Sequence, residues 1–307
     1  TLISRSGYLF CRSAACRKTC LERRRAASPA ADGIAGCSLF LPVGPFCPFR
    51  SDFWSDPSLQ SQAEEMAIKQ QREAELTARF RLGQTLTPEE KSELCSSMKA
   101  SSEYWISNQM RLRYADDFQA LESFKITEVK LEPFGFSMDT LEALVKWTPE
   151  QVSCMLEGRP PTPPPAGLNM MKIQQAGQSL PTIMSLSDMK KFSSFVAEGS
   201  EALQSELVQE ELKTLTTEHQ ALISLGSNYR QFDPRGKEAY LDQIALVQER
   251  WKIFMTRFQL MGELNPDFLE ESQRYLMQVG MTIEQFNSLI QDVHQRMRED
   301  AQKEALR

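Results

Sequence analysis

Seven apolar residues between positions 240 and 261 constrain the fold more than any other feature of this chain. The steps between them alternate between four and three residues, so all seven share one side of an α-helix with a repeat of about 3.5 residues. We call this set the aromatic stripe; its members are Tyr240, Ile244, Val247, Trp251, Phe254, Phe258 and Met261. Because burying each side chain stabilises a fold by roughly 1.5–3 kcal/mol, we expect the stripe to pack against other helices.

Capping signals indicate that the helix with the aromatic stripe is one of four consecutive helices. Asp233–Pro234 begins the helix and Gly262 ends it. One helix is expected before it, from Ser187 to Gly226, and two after it, the last of which is expected to fray beyond Arg298. Consecutive amphipathic helices with short loops predict an antiparallel bundle. A stripe with this repeat is narrower than a globular core usually requires. Some apolar faces of these helices are therefore also expected to contact a partner protein.

Residues 52–158 carry a second group of helical signals. Strong helix formers predict a helix over residues 58–82. Thr87 and Glu90 match a capping box, which predicts the start of another helix, and the apolar pattern extends that helix to about Phe124. We therefore expect a helical N-terminal region.

The second half of this region is less regular. Residues 126–133 are expected to form a short extended connector, after which Ser137 begins a small helix. Thr148, followed by Pro149, repeats the capping pattern and predicts a separate helix that ends at Gly158.

A proline-rich segment marks the boundary between the two helical parts. Residues 159–167 hold five prolines in nine positions, which exclude an α-helix and favour an extended polyproline conformation. We interpret residues 159–186 as a linker and residues 187–307 as the C-terminal helical bundle. A stiff strap is favoured over a ligand for an SH3-like module.

The first 51 residues differ from the rest of the chain in charge. They hold eight basic and two acidic residues, a net charge of +6, whereas the remaining 27 basic and 39 acidic residues give −12. A basic, Arg- and Ser-rich segment without an uninterrupted apolar core resembles a mitochondrial transit peptide. A chloroplast targeting peptide and a disordered basic arm are the alternatives for residues 1–51.

The acidic remainder argues against nucleic-acid binding, because phosphate contacts need clustered positive charge. The sequence holds no run of 18 or more apolar residues, so no transmembrane helix is predicted and any membrane association is expected to be peripheral. Five of the seven cysteines lie in the basic segment, at spacings that match no zinc module.

The sequence contains no recognisable catalytic, cofactor or metal-binding motif. His219 lies on an apolar helix face and is interpreted as a packed, hydrogen-bonded core residue. A helical di-iron site needs a glutamate three positions before each histidine, and neither His219 nor His294 has one. Cys95 and Cys154 are interpreted as small core residues. We therefore predict no catalytic, cofactor-binding or metal-binding residues and no cofactor, so the chain is not expected to be an enzyme.

The predicted architecture is similar in plan to accessory subunits of large mitochondrial assemblies, which are commonly helical, catalytically silent and extended by tails. That resemblance implies a structural subunit of an inner-membrane energy-transducing complex, with the ATP synthase favoured and the matrix side preferred. Its partners would be other protein subunits. A respiratory-complex accessory subunit, a mitoribosomal protein and an enzyme of unfamiliar type are the alternatives. Whether the aromatic stripe is core or interface is left open, with core favoured.

Overall fold

The computed structural model describes residues 56–165, 169, 171, 195–196, 199–278 and 280–306. Within those residues the chain is 81 % helical and forms eight α-helices and no β-strand, which confirms the predicted mostly α fold. The helices are α1 (Pro57–Arg81), α2 (Pro88–Tyr114), α3 (Phe118–Leu131), α4 (Met138–Glu157), α5 (Glu206–Gly226), α6 (Pro234–Met261), α7 (Pro266–Gln278) and α8 (Ile283–Ala305). The basic segment 1–51 and most of the predicted linker lie outside the described residues.

The capping box predicted at the start of α2 is present. The Thr87 hydroxyl accepts a hydrogen bond from the Glu90 backbone N–H, and the Glu90 carboxylate accepts one from the Thr87 backbone N–H. The same carboxylate pairs with Arg79 of α1. One glutamate therefore begins α2 and also fixes α1 against it.

The prediction of a single helix from Thr87 to Phe124 is wrong, because the helix ends at Tyr114. The backbone of Ala115 is extended, and the Asp117 carboxylate accepts a hydrogen bond of 2.9 Å from the Ala120 N–H, which begins α3. The aspartate cap thus starts a new helix where the apolar pattern alone suggested continuation.

The extended connector predicted for residues 126–133 is also wrong. Helix α3 continues to Leu131, and a short 3-10 helix follows over Glu132–Phe134. Leu131 is buried together with Phe124 and Met138 in a cluster between α2, α3 and α4. Packing on this cluster holds the segment in helical form.

No break occurs at Thr148, where a separate helix was predicted. Helix α4 is continuous from Met138 to Glu157 with Pro149 inside it, and Gly158 ends it in the left-handed conformation. Instead of capping, the Thr148 hydroxyl donates to the Leu144 carbonyl at 2.8 Å. Buried residues lie on α4 both before and after Pro149, so tertiary packing offsets the one backbone hydrogen bond that proline removes.

The C-terminal helices also differ from the predicted set at two of their ends. Helix α5 begins at Glu206 rather than at Ser187, which lies outside the described residues. The fraying predicted beyond Arg298 is wrong, since α8 continues to Ala305. Ala301 is buried, and Lys237 of α6 forms an ion pair with Glu304, so the last turns of α8 are held against α6.

The bundle is not built from four consecutive helices, which corrects the predicted assembly. Helix α8 packs against both α6 and α3, and α5 packs against α6. Phe118 of α3 lies in one buried cluster with Tyr240 of α6 and Val293 of α8. The shorter α7 covers a separate apolar cluster at the start of α8. Helix α3 therefore belongs to the N-terminal region by sequence and to the bundle by packing.

Candidate protein-interaction surface

Six of the seven residues of the aromatic stripe lie in the chain's own core, each at most 6 % exposed. Tyr240 and Ile244 pack toward α3 and α8, and the residues from Val247 to Phe258 pack toward α5 and the segment before it. Met261 is different, because it is 50 % exposed at the last turn of α6. A straight helix drifts by roughly 20° per heptad from a strict seven-residue repeat, so after three heptads Met261 has turned away from the core.

His219 forms a structural hydrogen bond within this core. The Trp251 indole N–H donates to His219 Nδ1 at 3.0 Å, which joins α6 to α5. Burial lowers the pKa of His219 to about 4, so the imidazole is neutral at pH 7 and accepts this bond. The prediction of a packed, hydrogen-bonded histidine is confirmed.

His294 is buried beside a carboxylate that the sequence did not predict. Its Nε2 lies 2.7 Å from Glu122 Oε1, and this contact joins α8 to α3. The ring of Phe118 lies 5.8 Å from the imidazole ring. Nearby, the Tyr240 hydroxyl donates to the Leu222 carbonyl at 3.0 Å. The contact between His294 and Glu122 joins α8 to α3, and the bond from Tyr240 to Leu222 joins α6 to α5.

The remaining candidate reactive groups are dispersed. Cys154 is buried and Cys95 is half-buried, and both are free thiols. Among the described residues, no group of three or more His, Cys, Asp or Glu side chains is arranged to hold a metal ion. In the same part of the chain, no helix is long and apolar enough to cross a membrane.

The outer side of the α5–α6 pair is organised around two ion pairs. Arg250 binds Glu218, and Arg257 binds Glu211 at 2.8 Å. On each helix the two charged residues are seven positions apart, which corresponds to roughly 10.5 Å along the axis. The two pairs therefore mark the register of the antiparallel helices, and they neutralise the charge in the groove between them.

Exposed apolar side chains flank these ion pairs on both helices. Four of these side chains lie three or four positions along the helix from a residue of an ion pair, and the fifth lies seven positions away. All five are therefore on the same side of the α5–α6 hairpin as the ion pairs. Two small exposed residues of α5, Thr214 and Ala221, lie between them. We call this surface the hairpin face; it consists of Leu207, Thr214, Ala221, Leu225, Leu246, Ile253 and Leu260.

The register of the ion pairs arranges the hairpin face in three levels. In each level one residue of α5 stands beside one of α6; the pairs are Leu207 with Leu260, Thr214 with Ile253, and Ala221 with Leu246. Leu225 lies roughly one helical turn beyond the third level. Single exposed leucines are ordinary on protein surfaces, but a contiguous set in register is typical of an interaction site.

The two helices contribute side chains of different size to the hairpin face. Helix α6 presents three large side chains at seven-residue intervals, of which Leu260 is 83 % exposed. Helix α5 presents large side chains only near its ends, where Leu207 is 80 % and Leu225 is 53 % exposed. Thr214 and Ala221 in the middle are short, so the centre of the face is a shallow depression beside the α6 row.

The charge on the rim of the hairpin face differs between its two edges. Glu206, Glu210 and Lys213 lie at the α5 edge, and none of the three forms an ion pair with a described residue, so this edge keeps a net negative charge. On α6, Asp242 pairs with Arg298 of α8, and Glu249 lies 3.5 Å from Lys252. With the groove arginines already neutralised, unpaired negative charge remains mainly at the α5 edge.

The sequence contains part of the signal for this face. Leu246, Ile253 and Leu260 repeat every seven positions on α6. The aromatic stripe on the same helix has the same repeat and a stronger apolar character, so it masks the weaker outer stripe. The matching positions on α5 include Thr214 and Ala221, which give no hydrophobic signal, and only the register of α5 against α6 shows that they share the surface.

A family model described as a domain of unknown function (DUF1825) matches residues 200–301. The match spans about a third of the chain and contains the whole hairpin face, while α1 to α4 lie outside it. No curated protein and no solved structure matches the chain.

Proposed function

We propose that the protein is a non-catalytic subunit of a larger protein assembly and that it works through helix–helix contacts. The observation that supports this proposal is the hairpin face, on which five large apolar side chains remain exposed on one side of the α5–α6 hairpin. Covering such side chains stabilises a contact by roughly 25 cal/mol per Å² of apolar area removed from water. The two buried histidines of the bundle, His219 and His294, by contrast, join helices to one another.

We further propose that the protein is located in mitochondria. The basic segment 1–51 suggests import into mitochondria, and the plan of the chain suggests an accessory subunit of an inner-membrane energy-transducing complex, with the ATP synthase first. The acidic remainder of the chain favours such a complex over a mitoribosomal role. The protein would associate with the membrane only peripherally.

The test is co-migration in isolated organelles. A tagged full-length chain is imported, and gentle detergent extracts are separated on a density gradient beside the double variant Leu246→Ser/Ile253→Ser. We expect the wild type to sediment with a mitochondrial complex and the variant to shift to the free pool. The matched control is Ile68→Ser/Leu82→Ser, because Ile68 and Leu82 are 72 % and 77 % exposed at α1, away from the hairpin face.

Two results would contradict the proposal. Recovery of the wild type only as a free monomer would rule out a stable subunit. Recovery in chloroplasts rather than mitochondria would overturn the location while leaving the subunit role in place.

A further inference from the structure

We propose that the hairpin face binds a single amphipathic α-helix of a partner protein, whose apolar stripe is flanked by basic residues. This inference rests on the proposed role as a subunit and names the chemistry of the partner. The occupant follows from the shape, the size and the charge of the face.

The spacing of the face fits a helix. Its three levels lie roughly 10.5 Å apart, the distance that seven residues span along a helix axis. A partner helix with apolar residues at the a and d positions of a heptad repeat therefore presents side chains at the same spacing. The groove between α5 and α6 contains neutralised ion pairs, so an apolar stripe placed over it meets no uncompensated charge within the groove.

The sizes of the side chains on the hairpin face also fit a partner helix. The short side chains of Thr214 and Ala221 leave room for the partner's large side chains at the centre of the face. Leu246 and Ile253 then cover one flank of the partner helix. Interdigitation of large side chains with small ones is the ordinary way in which two helices pack closely.

The size of the face argues against a second copy of this chain. From Leu207 to Leu225 the face is roughly 27 Å long, and two adjacent helices make it on the order of 20 Å wide. That gives on the order of 500 Å² for each partner, below the roughly 800 Å² that a standard stable interface buries on each side. A helix about 10 Å in diameter seated between the two rows contacts both of them.

The charge of the rim argues for a basic partner. A second copy would bring one acidic rim, with Glu206 and Glu210, against another. Like charges across an interface disfavour association, whereas Lys or Arg beside the partner's apolar stripe would pair with these carboxylates.

The experiment uses the purified full-length chain and two synthetic helical peptides of about 28 residues, four heptads each. Both peptides carry leucine at the a and d positions; one carries lysine at the flanking e and g positions and the other carries glutamate. Affinities are measured by fluorescence anisotropy at low and at physiological salt. We expect the lysine peptide to bind at least tenfold more tightly than the glutamate peptide, with a preference that decreases as salt rises.

Substitutions that leave the charge of the chain unchanged test the location of binding. Leu246→Ser/Ile253→Ser should weaken binding of the lysine peptide at least tenfold, because it removes two of the large apolar contacts. The control Ile68→Ser/Leu82→Ser should leave binding unchanged, and circular dichroism checks that both proteins remain folded. Equal binding of the two peptides, or binding that persists in Leu246→Ser/Ile253→Ser, would overturn the inference.

One further variant tests the central depression. Thr214→Trp fills it with an indole while keeping the surface uncharged, so we expect the lysine peptide to bind several-fold more weakly. Binding that improves in this variant would show that the peptide does not lie over Thr214 and would contradict the proposed seat. Sedimentation of the wild type as a dimer that Leu246→Ser/Ile253→Ser dissociates would instead identify a second copy as the occupant.

The peptide result and the organelle result can fail separately. Co-migration with a complex together with no preference for the lysine peptide would reject the partner chemistry and retain the subunit role. Selective binding of the lysine peptide by a chain that never enters a complex would reject the subunit role alone.

Discussion

The two sides of α6 carry apolar stripes with the same spacing, but the inner stripe is buried and the outer stripe is exposed. On the inner side, Trp251, Phe254 and Phe258 are almost completely buried against the chain's own helices. On the outer side, Leu246, Ile253 and Leu260 remain exposed beside ion pairs to α5. Periodicity alone therefore does not distinguish core from interaction surface. The distinction depends on side-chain size and on whether another helix of the same chain lies opposite.

The largest expected effect is on the inner side. Trp251→Ala removes a buried indole together with the N–H that donates a hydrogen bond to His219. We therefore expect the free energy of unfolding to fall by about 3–5 kcal/mol. Urea denaturation followed by circular dichroism measures it. A loss below about 1 kcal/mol would mean that the inner stripe is not core, and the comparison between the two sides would fail.

The next effect is a pH dependence that arises from the inner side. His219 has a pKa of about 4 when folded against an ordinary value of 6.5, so between these values the unfolded chain binds a proton that the folded chain does not. Stability should therefore fall as pH falls from about 6.5 to about 4, by about 3 kcal/mol in total from this group. His219→Gln keeps an acceptor for Trp251 and does not titrate. The difference between the two unfolding curves over this pH range isolates the histidine, and parallel curves would contradict the assignment.

A smaller effect is expected where α5 ends against the inner side. A Cβ at Gly226 would stand 3.2 Å from Phe118 Cβ and well inside contact distance of the Tyr240 hydroxyl. Gly226→Ala should therefore cost about 1–3 kcal/mol by overpacking, although alanine favours a helix more than glycine does. Thermal unfolding measures the change. Combination with Tyr240→Phe, which removes the hydroxyl, should recover part of the loss, and strict additivity would show that the two positions do not clash.

The smallest effect on stability is expected on the outer side. Leu260→Ser replaces a side chain that is 83 % exposed, so the free energy of unfolding should change by no more than about 0.5 kcal/mol. The same substitution should weaken binding at the hairpin face, because it removes the most exposed apolar side chain of that face. A large loss of stability with unchanged binding would reverse the roles that we give to the two sides.

Local signals explain which parts of the fold were predictable. Ser137 and Asp233 cap helices, and Gly158 and Gly262 end them, because each acts through its own backbone and its near neighbours. Pro149 is a misleading signal for the opposite reason. Its effect on α4 depends on packing against α2, which no local pattern reports.

The candidate surface was less predictable than the fold, for a similar reason. The sequence shows that Leu207 and Leu260 lie on helices, but they share a surface only because α5 packs against α6 in one register, as the ion pair of Glu211 with Arg257 shows. Likewise, Glu122 and His294 are 172 positions apart, and only the docking of α3 on α8 brings them together. Contacts of this range depend on the tertiary arrangement, which helix propensity and spacing do not determine.

Because α3 packs in the core of the C-terminal bundle, cleavage of the chain between them should not separate the two parts. The linker separates α3 in sequence from the helices that it packs with, yet Phe118 and Glu122 of α3 lie in the core of the C-terminal bundle. A protease cut between residues 172 and 194 should therefore yield two pieces that remain associated without a covalent connection. Separately produced, each piece would lack part of its own interior, and mixing them should restore the helical content that neither reaches alone. The chain is two segments in sequence and one unit in folding.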